Sequence, residues 1–163
     1  MQETNYLRNN EKVLRILRDV DQFTTFSNED ILSFLDAGKL LEYGKGEEIK
    51  IEGQNGFHVY FLLSGEVRIE KPGEEDKILR RTGELFGEMG FMAGEAGGAT
   101  KVAALRKTLV LRLDSAVIGN KPDAKELALG YTIYRLFCEV LADRLRQATE
   151  ENARLHKQMT GRA

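Results

Sequence analysis

The chain has 163 residues, 42% of them hydrophobic and 31% charged, with a formal net charge of −2. That length buries a sizeable core in one domain with an accessory element, and the near-neutral charge carries no electrostatic footprint for nucleic acid. No apolar run approaches the roughly 20 residues that cross a bilayer, the start MQETNYLRNNEKV is too polar for a signal peptide, and the single cysteine, Cys138, fits a reducing cytoplasm.

Residues 1–39 read as a helical segment. Val13, Leu14, Ile16, Leu17 and Val20 fall on one face at helical spacing, and Phe23 and Phe26 follow as anchors. Ser27 with Asp30 three residues on is a capping-box variant. It opens a helix whose stripe is Ile31, Leu32, Phe34 and Leu35, and Gly38 is placed to end it.

From residue 40 to 113 the texture changes. Short apolar runs alternate with glycine-bearing breaks about every ten residues, the signature of an all-β sandwich or barrel. Val59-Tyr60-Phe61-Leu62-Leu63 reads as a buried strand. Val67 and Ile69 alternate with Glu66, Arg68 and Glu70 as in a half-exposed one. Thr108 to Leu113 is the last strong strand, and His58 reads as a surface strand residue.

Residues 114–160 read as C-terminal helices. Asp114 caps a short one, and Asn120-Lys121-Pro122-Asp123 starts another running from about Ala124 to Met159, some 50 Å long. Leu127, Tyr131, Tyr134, Cys138, Leu141, Leu145, Ala148, Asn152, Leu155 and Met159 follow an unbroken heptad. Asn152 falls at an a position and Leu155 at d, a pattern that favours a parallel two-stranded coil, with Glu151 and His156 at g–e′ spacing. The proximal half is also expected to pack on the β domain through Ile133, Phe137 and Val140. The interface therefore predicted for a parallel homodimer runs through Tyr134, Cys138, Leu141, Leu145, Ala148, Asn152, Leu155 and Met159, with Cys138 as buried packing.

Five motifs stand in order. They are Phe23-x-x-Phe26-Ser27-x-x-Asp30, Tyr43-Gly44-x-Gly46-Glu47-x-Ile49 with Glu52-Gly53-x-x-Gly56, Tyr60-Phe61-Leu62-Leu63-x-Gly65-x-Val67-x-Ile69, Gly83-x-x-Phe86-Gly87-Glu88, and the glycine-rich loop to Ala99-Thr100. Together they resemble cyclic-nucleotide-binding domains over about residues 12–146. The resemblance implies a mainly β double-stranded helix, or jelly roll, with flanking helices and a long C-terminal helix.

It also makes residues 83–104 a phosphate-binding cassette and places Phe86, Gly87, Glu88, Met89, Gly97, Gly98, Ala99 and Thr100 around the ligand. In the family the Glu, matched by Glu88, binds the ribose 2′-hydroxyl, and an Arg pairs with the phosphate. Glu88 also has a plain structural reading, as an acceptor for the amides of a tight loop. The Arg position falls on Gly97, or on Gly98 with a loop one residue longer.

Arg is the side chain best shaped for bidentate phosphate contact. Losing one partner of such a pair costs about 2–5 kcal/mol, roughly thirty- to several-thousand-fold in affinity. Lys101, Arg106, Arg135 and Arg144 are the candidate substitutes. The expected function is a non-catalytic, dimeric regulatory or protein-interaction module of bacterial type, binding cAMP or cGMP weakly or not at all. The alternative is a genuine sensor of a cyclic nucleotide or small anion through a substitute cation. No cofactor, metal, nucleic acid or membrane is expected. Only two histidines occur, His58 and His156, in unrelated contexts, and the tail after the long helix is too short for a helix-turn-helix.

Overall fold

The computed structural model describes residues 2–4, 11–20, 23–24, 26–50, 52–53, 56–73, 75–93, 101–117 and 124–160. The N-terminal part holds strand β1 (Gln2–Thr4), helix α1 (Glu11–Arg18) and helix α2 (Asn28–Ala37). The strand is a departure from the all-helical reading of residues 1–39: it lies antiparallel to β2 (Lys39–Tyr43), with Glu3 opposite Leu41. The capping box forms as expected. The Asp30 N–H donates to Ser27 Oγ at 3.2 Å, and the Ser27 N–H donates back to Asp30 Oδ2 at 2.9 Å. The Ser27 hydroxyl, donating to Asp30 Oδ2 at 2.7 Å, and the Ser27 N–H together hold the Asp30 carboxyl below the usual carboxylate range. Gly38 ends α2, but in extended backbone (φ −93°) and not through a left-handed turn. It is glycine for space, because a Cβ there would sit 2.6 Å from the Leu111 side chain.

The β region adds β3 (Glu52–Gly53), β4 (Gly56–Ser64), β5 (Val67–Glu70), β6 (Lys77–Leu79), β7 (Leu85–Phe86), β8 (Lys101–Ala104) and β9 (Thr108–Asp114). One sheet runs β1-β2-β9-β4-β3 with β7 also on β4, and the second runs β6-β5-β8. This two-sheet antiparallel core is the sandwich that the glycine spacing predicts and the jelly roll that the family resemblance implies.

The continuous apolar run of β4 is explained by its two covered faces. Val59, Phe61 and Leu63 join the cluster beneath the helices, while Tyr60 and Leu62 face the space between the sheets. On the helix side Phe23, Phe34 and Phe61 pack edge to face, with ring centres 4.9 Å apart for Phe34–Phe61 and 5.3 Å for Phe23–Phe34. Aromatic pairs at such angles add to plain area burial.

His58 corrects its sequence reading. It is only 8% exposed, because it sits two residues before Tyr60 and shares that inward face. Its Nδ1 lies 2.8 Å from Asp114 Oδ1, and Arg112 Nε lies 2.8 Å from the same carboxylate. Desolvation and the Arg112 charge hold the imidazole below its ordinary pKa, against the pull of Asp114.

A short 3-10 turn, Ser115–Val117, follows β9, and α4 spans Ala124–Thr160. The residues expected to start α4, 120–123, lie outside those described. Ile133, Leu136, Phe137 and Val140 are buried against the domain, with Phe137 edge-on to Phe91 at 5.4 Å. The heptad residues lie on another face: Leu127, Tyr131, Tyr134, Cys138, Leu145, Ala148, Asn152, Leu155 and Met159 are exposed, and Leu141 is half-buried. Cys138 is thus not buried within its own chain. The core claims the 133/137/140 stripe, and the two stripes point in different directions.

Candidate functional site

The cassette begins where β7 leaves the sheet. Phe86 pairs with Tyr60 in the ladder, and the two rings stack at 4.9 Å and 9°. This fixes the direction in which the chain departs. Gly87 then takes φ +85°, a left-handed conformation that L side chains rarely adopt. That turn starts α3 (Glu88–Ala93), with the Phe91 N–H donating to the Gly87 carbonyl at 3.1 Å.

Just upstream, Gly83 (φ +87°) lies so close to the turn that follows α1 that a Cβ would meet Val20 at 2.4 Å. The segment leading into the cassette is therefore packed directly on the N-terminal helices.

The predicted ligand residues separate into different roles. Phe86 is core, 2% exposed, and acts as the foundation of the turn. Met89, in α3, is 65% exposed. Gly97, Gly98, Ala99 and Thr100 lie outside the described residues.

Glu88 is the chemically informative one. It is 6% exposed, and its Oε1 accepts from Arg144 Nη1 of α4. The other terminal nitrogen of Arg144 donates to the Leu85 carbonyl. One guanidinium thus joins the long helix to both ends of the β7–α3 turn. A buried carboxylate needs such a counter-charge, and the guanidinium fork can serve two acceptors at once.

Of the four candidate substitute cations, Arg144 is the one that, among the described residues, contacts Glu88. Arg135 stacks over the Phe26 ring at 4.7 Å, with its Nε 3.4 Å from Glu139. Arg106 is exposed, donates to the Gly65 carbonyl at 3.1 Å and sits 4.0 Å from Glu66. Lys101 is exposed at the start of β8. The Leu85 carbonyl is a partner that sequence alone does not reveal, because a backbone acceptor carries no residue signature.

This arrangement agrees with comparisons to known proteins. The profile of the cyclic nucleotide-binding domain family matches residues 40–120. The cAMP-dependent protein kinase regulatory subunit of Debaryomyces hansenii is 31% identical over 97 residues, covering 60% of this chain and 21% of that protein. The catabolite activator protein of Thermus thermophilus superposes with a TM-score of 0.58 at 27% identity, over 82% of this chain and 62% of that one. In fold the chain is also similar to the regulatory subunit of a cAMP-independent protein kinase A from Trypanosoma brucei, with a TM-score of 0.62 and 22% identity over 88% and 48% of the two chains. The chain spans between about a fifth and a third of the length of the curated relatives it matches. The matched strands, the β7–Gly87–α3 turn and the long helix closing on Glu88 form one unit, and the chain belongs to the cyclic nucleotide-binding domain family.

Proposed function

We propose that this domain is a non-catalytic regulatory module that works as a parallel dimer and whose nucleotide pocket is satisfied from within. The observation that carries this reading is the Arg144–Glu88 pair. The carboxylate that would receive a ribose hydroxyl is buried and already holds a guanidinium. A cyclic nucleotide would have to compete with that pair and would meet glycine, Gly97 or Gly98, at the position of the family's phosphate-binding Arg. Both effects weaken binding, and the second alone costs about 2–5 kcal/mol. Calorimetric titration with cAMP and cGMP is expected to show nothing tighter than about 100 µM, with Gly97→Arg gaining affinity. A low-micromolar constant for the unmodified chain would overturn the reading.

Arg144 also supports a second reading, in which it is the substitute cation of a working sensor. Here the guanidinium would turn from Glu88 to the ligand's phosphate. The two readings part on one variant. In a sensor, Arg144→Met abolishes a binding signal present in the parent chain; in the closed module neither chain gives one.

The dimer rests on the heptad face of α4, which the domain leaves uncovered (Leu145 is 70% exposed and Leu155 50%). Asn152 at an a position specifies a parallel register. Cys138 occupies an a position too, so a parallel pair brings two thiols face to face. Mild oxidation is expected to yield a disulfide-linked dimer on a non-reducing gel, and Asn152→Glu with Leu155→Glu to give a monomer by light scattering. Loss of the crosslink with dimer mass retained would point to an antiparallel pair.

A further inference from the structure

Where β4 begins and β9 ends, the two strands carry a polar cluster outside the cassette. His58 lies directly opposite Asp114 in the antiparallel ladder. Arg112, two residues back on the same face, lies opposite Tyr60 of β4 and Lys39 of β2. His58 is buried, and Arg112 and Asp114 are half-buried. One carboxylate oxygen, Asp114 Oδ1, faces both His58 Nδ1 and Arg112 Nε at 2.8 Å, while Arg112 Nη2 donates to the other oxygen at 3.2 Å. The Tyr60 ring meets the imidazole edge to face at 6.2 Å, and the Tyr60 hydroxyl donates to the Lys50 carbonyl at 2.5 Å.

The balance of charge decides which form of His58 this cluster tolerates. Among the described residues Asp114 is the one carboxylate in contact with the ring, and the Arg112 guanidinium already spans both of its oxygens. Arg112 on β9 and the exposed Lys39 on β2 both oppose a further positive charge. Tyr60 and Tyr43, whose hydroxyls burial holds in the neutral form, add none. A neutral imidazole suits that setting. An imidazolium would be a buried cation whose counter-charge is already taken, which is costly. Desolvation and the Arg112 charge accordingly outweigh the attraction of Asp114 and hold the ring below the ordinary histidine range.

The position gives this group something to act on. Phe57, the residue before His58, donates its N–H to Ser115 Oγ at 3.2 Å, and Ser115 opens the 3-10 turn that leads from β9 toward α4. The first residues of β4 thus hold the exit of β9 at two consecutive positions, Asp114 and Ser115. We infer that His58, Asp114 and Arg112 form an acid-sensitive latch on that exit: with the imidazole neutral it is shut, and on protonation the ends of β4 and β9 part and free the turn that runs toward α4. Opening lets the imidazolium reach water and leaves Asp114 to Arg112. The open end takes up a proton more readily than the closed one, so stability present above the ordinary histidine pKa of about 6.5 is lost as the pH falls below it. The latch requires neither a nucleotide at Glu88 nor a second subunit on α4.

The test is amide hydrogen exchange of the isotopically labelled full chain, followed by NMR at pH 7, 6 and 5 and corrected for the intrinsic pH dependence of exchange. Two bonded amides serve as probes: Phe57, held by Ser115, and Leu62 near the other end of β4, held by the Glu84 carbonyl at 2.8 Å. Opening at Phe57 is expected to rise several-fold from pH 7 to pH 5. Its ceiling is about twenty-five-fold, set by an open form that titrates at about 6.5. Opening at Leu62 is expected to stay level. His58→Gln, which keeps a neutral polar side chain there, is expected to retain the fold and lose the rise at Phe57. Arg112→Met leaves Asp114 to receive an imidazolium and is expected to raise the proton affinity of the His58 ring several-fold. That affinity is read from the ring Cε1–H signal, with His156→Gln identifying the other histidine. No rise at Phe57, a rise equal in the parent and His58→Gln, or a rise shared by Leu62 would overturn the latch. So would an Arg112→Met ring that titrates no higher than the parent's. If Arg112→Met does not fold, the comparison of His58→Gln with the parent still decides.

Discussion

The proximal and distal halves of α4 share one unbroken heptad yet live in different surroundings. Up to Arg144 the helix has two jobs, with Ile133, Leu136, Phe137 and Val140 pressed into the domain and the heptad stripe facing outward. Beyond Leu145 every residue to Thr160 is exposed, and the stripe is the only apolar feature left. Propensity alone sustains short helices poorly in water, so under the dimer proposed above this solvated extension packs its apolar positions against a second copy. On that proposal the same pattern is redundant in the first half and decisive in the second.

The largest effect should come from the covered face. Phe137→Ala removes a fully buried ring that meets Phe91 and is expected to cost about 3–5 kcal/mol, lowering the thermal midpoint by roughly 10 °C. A shift under a few degrees would mean the proximal half is not part of the core. Next is the junction. Arg144→Met strands Glu88 without its counter-charge and is expected to cost about 2–4 kcal/mol in denaturant unfolding. Adding Glu88→Gln should recover part of that loss, a non-additivity that a double-mutant cycle resolves.

The distal half should behave otherwise. Asn152→Glu with Leu155→Glu is expected to abolish any rise of the melting midpoint with protein concentration, the mark of a folded dimer, while leaving the dilute-limit midpoint within about 0.5 kcal/mol. The smallest effect belongs to Leu145→Ser made in that monomeric background, also within about 0.5 kcal/mol. A larger loss there would show that the exposed stripe packs on its own domain after all, and the contrast between the halves would fail.

Much of this was written locally in the chain. The Ser27–Asp30 capping box, the two-faced β4 and the span of α4 each follow from residues within one or two turns of each other. Where the reading failed, the missing fact was nonlocal. His58 was misread although the signal existed: two residues before Tyr60 it had to share the inward face, and that strand is buried on both sides. β1 is three residues long, too short for any periodicity to register. Arg144 was visible as a cation, but its partners are 56 and 59 positions away, and one of them is a backbone carbonyl.

The Arg144–Glu88 contact also marks where α4 leaves the domain. Among the described residues it is the last charged attachment of α4 to the domain before sixteen exposed residues, 145–160, extend about 24 Å at 1.5 Å per residue. A rotation of about 5° about that point carries the helix tip through about 2 Å, comparable to the helix shifts that reset subunit interfaces in switching proteins. In the proposed dimer, a change confined to one guanidinium would thus arrive at the far end as a displacement large enough to alter how the two subunits meet.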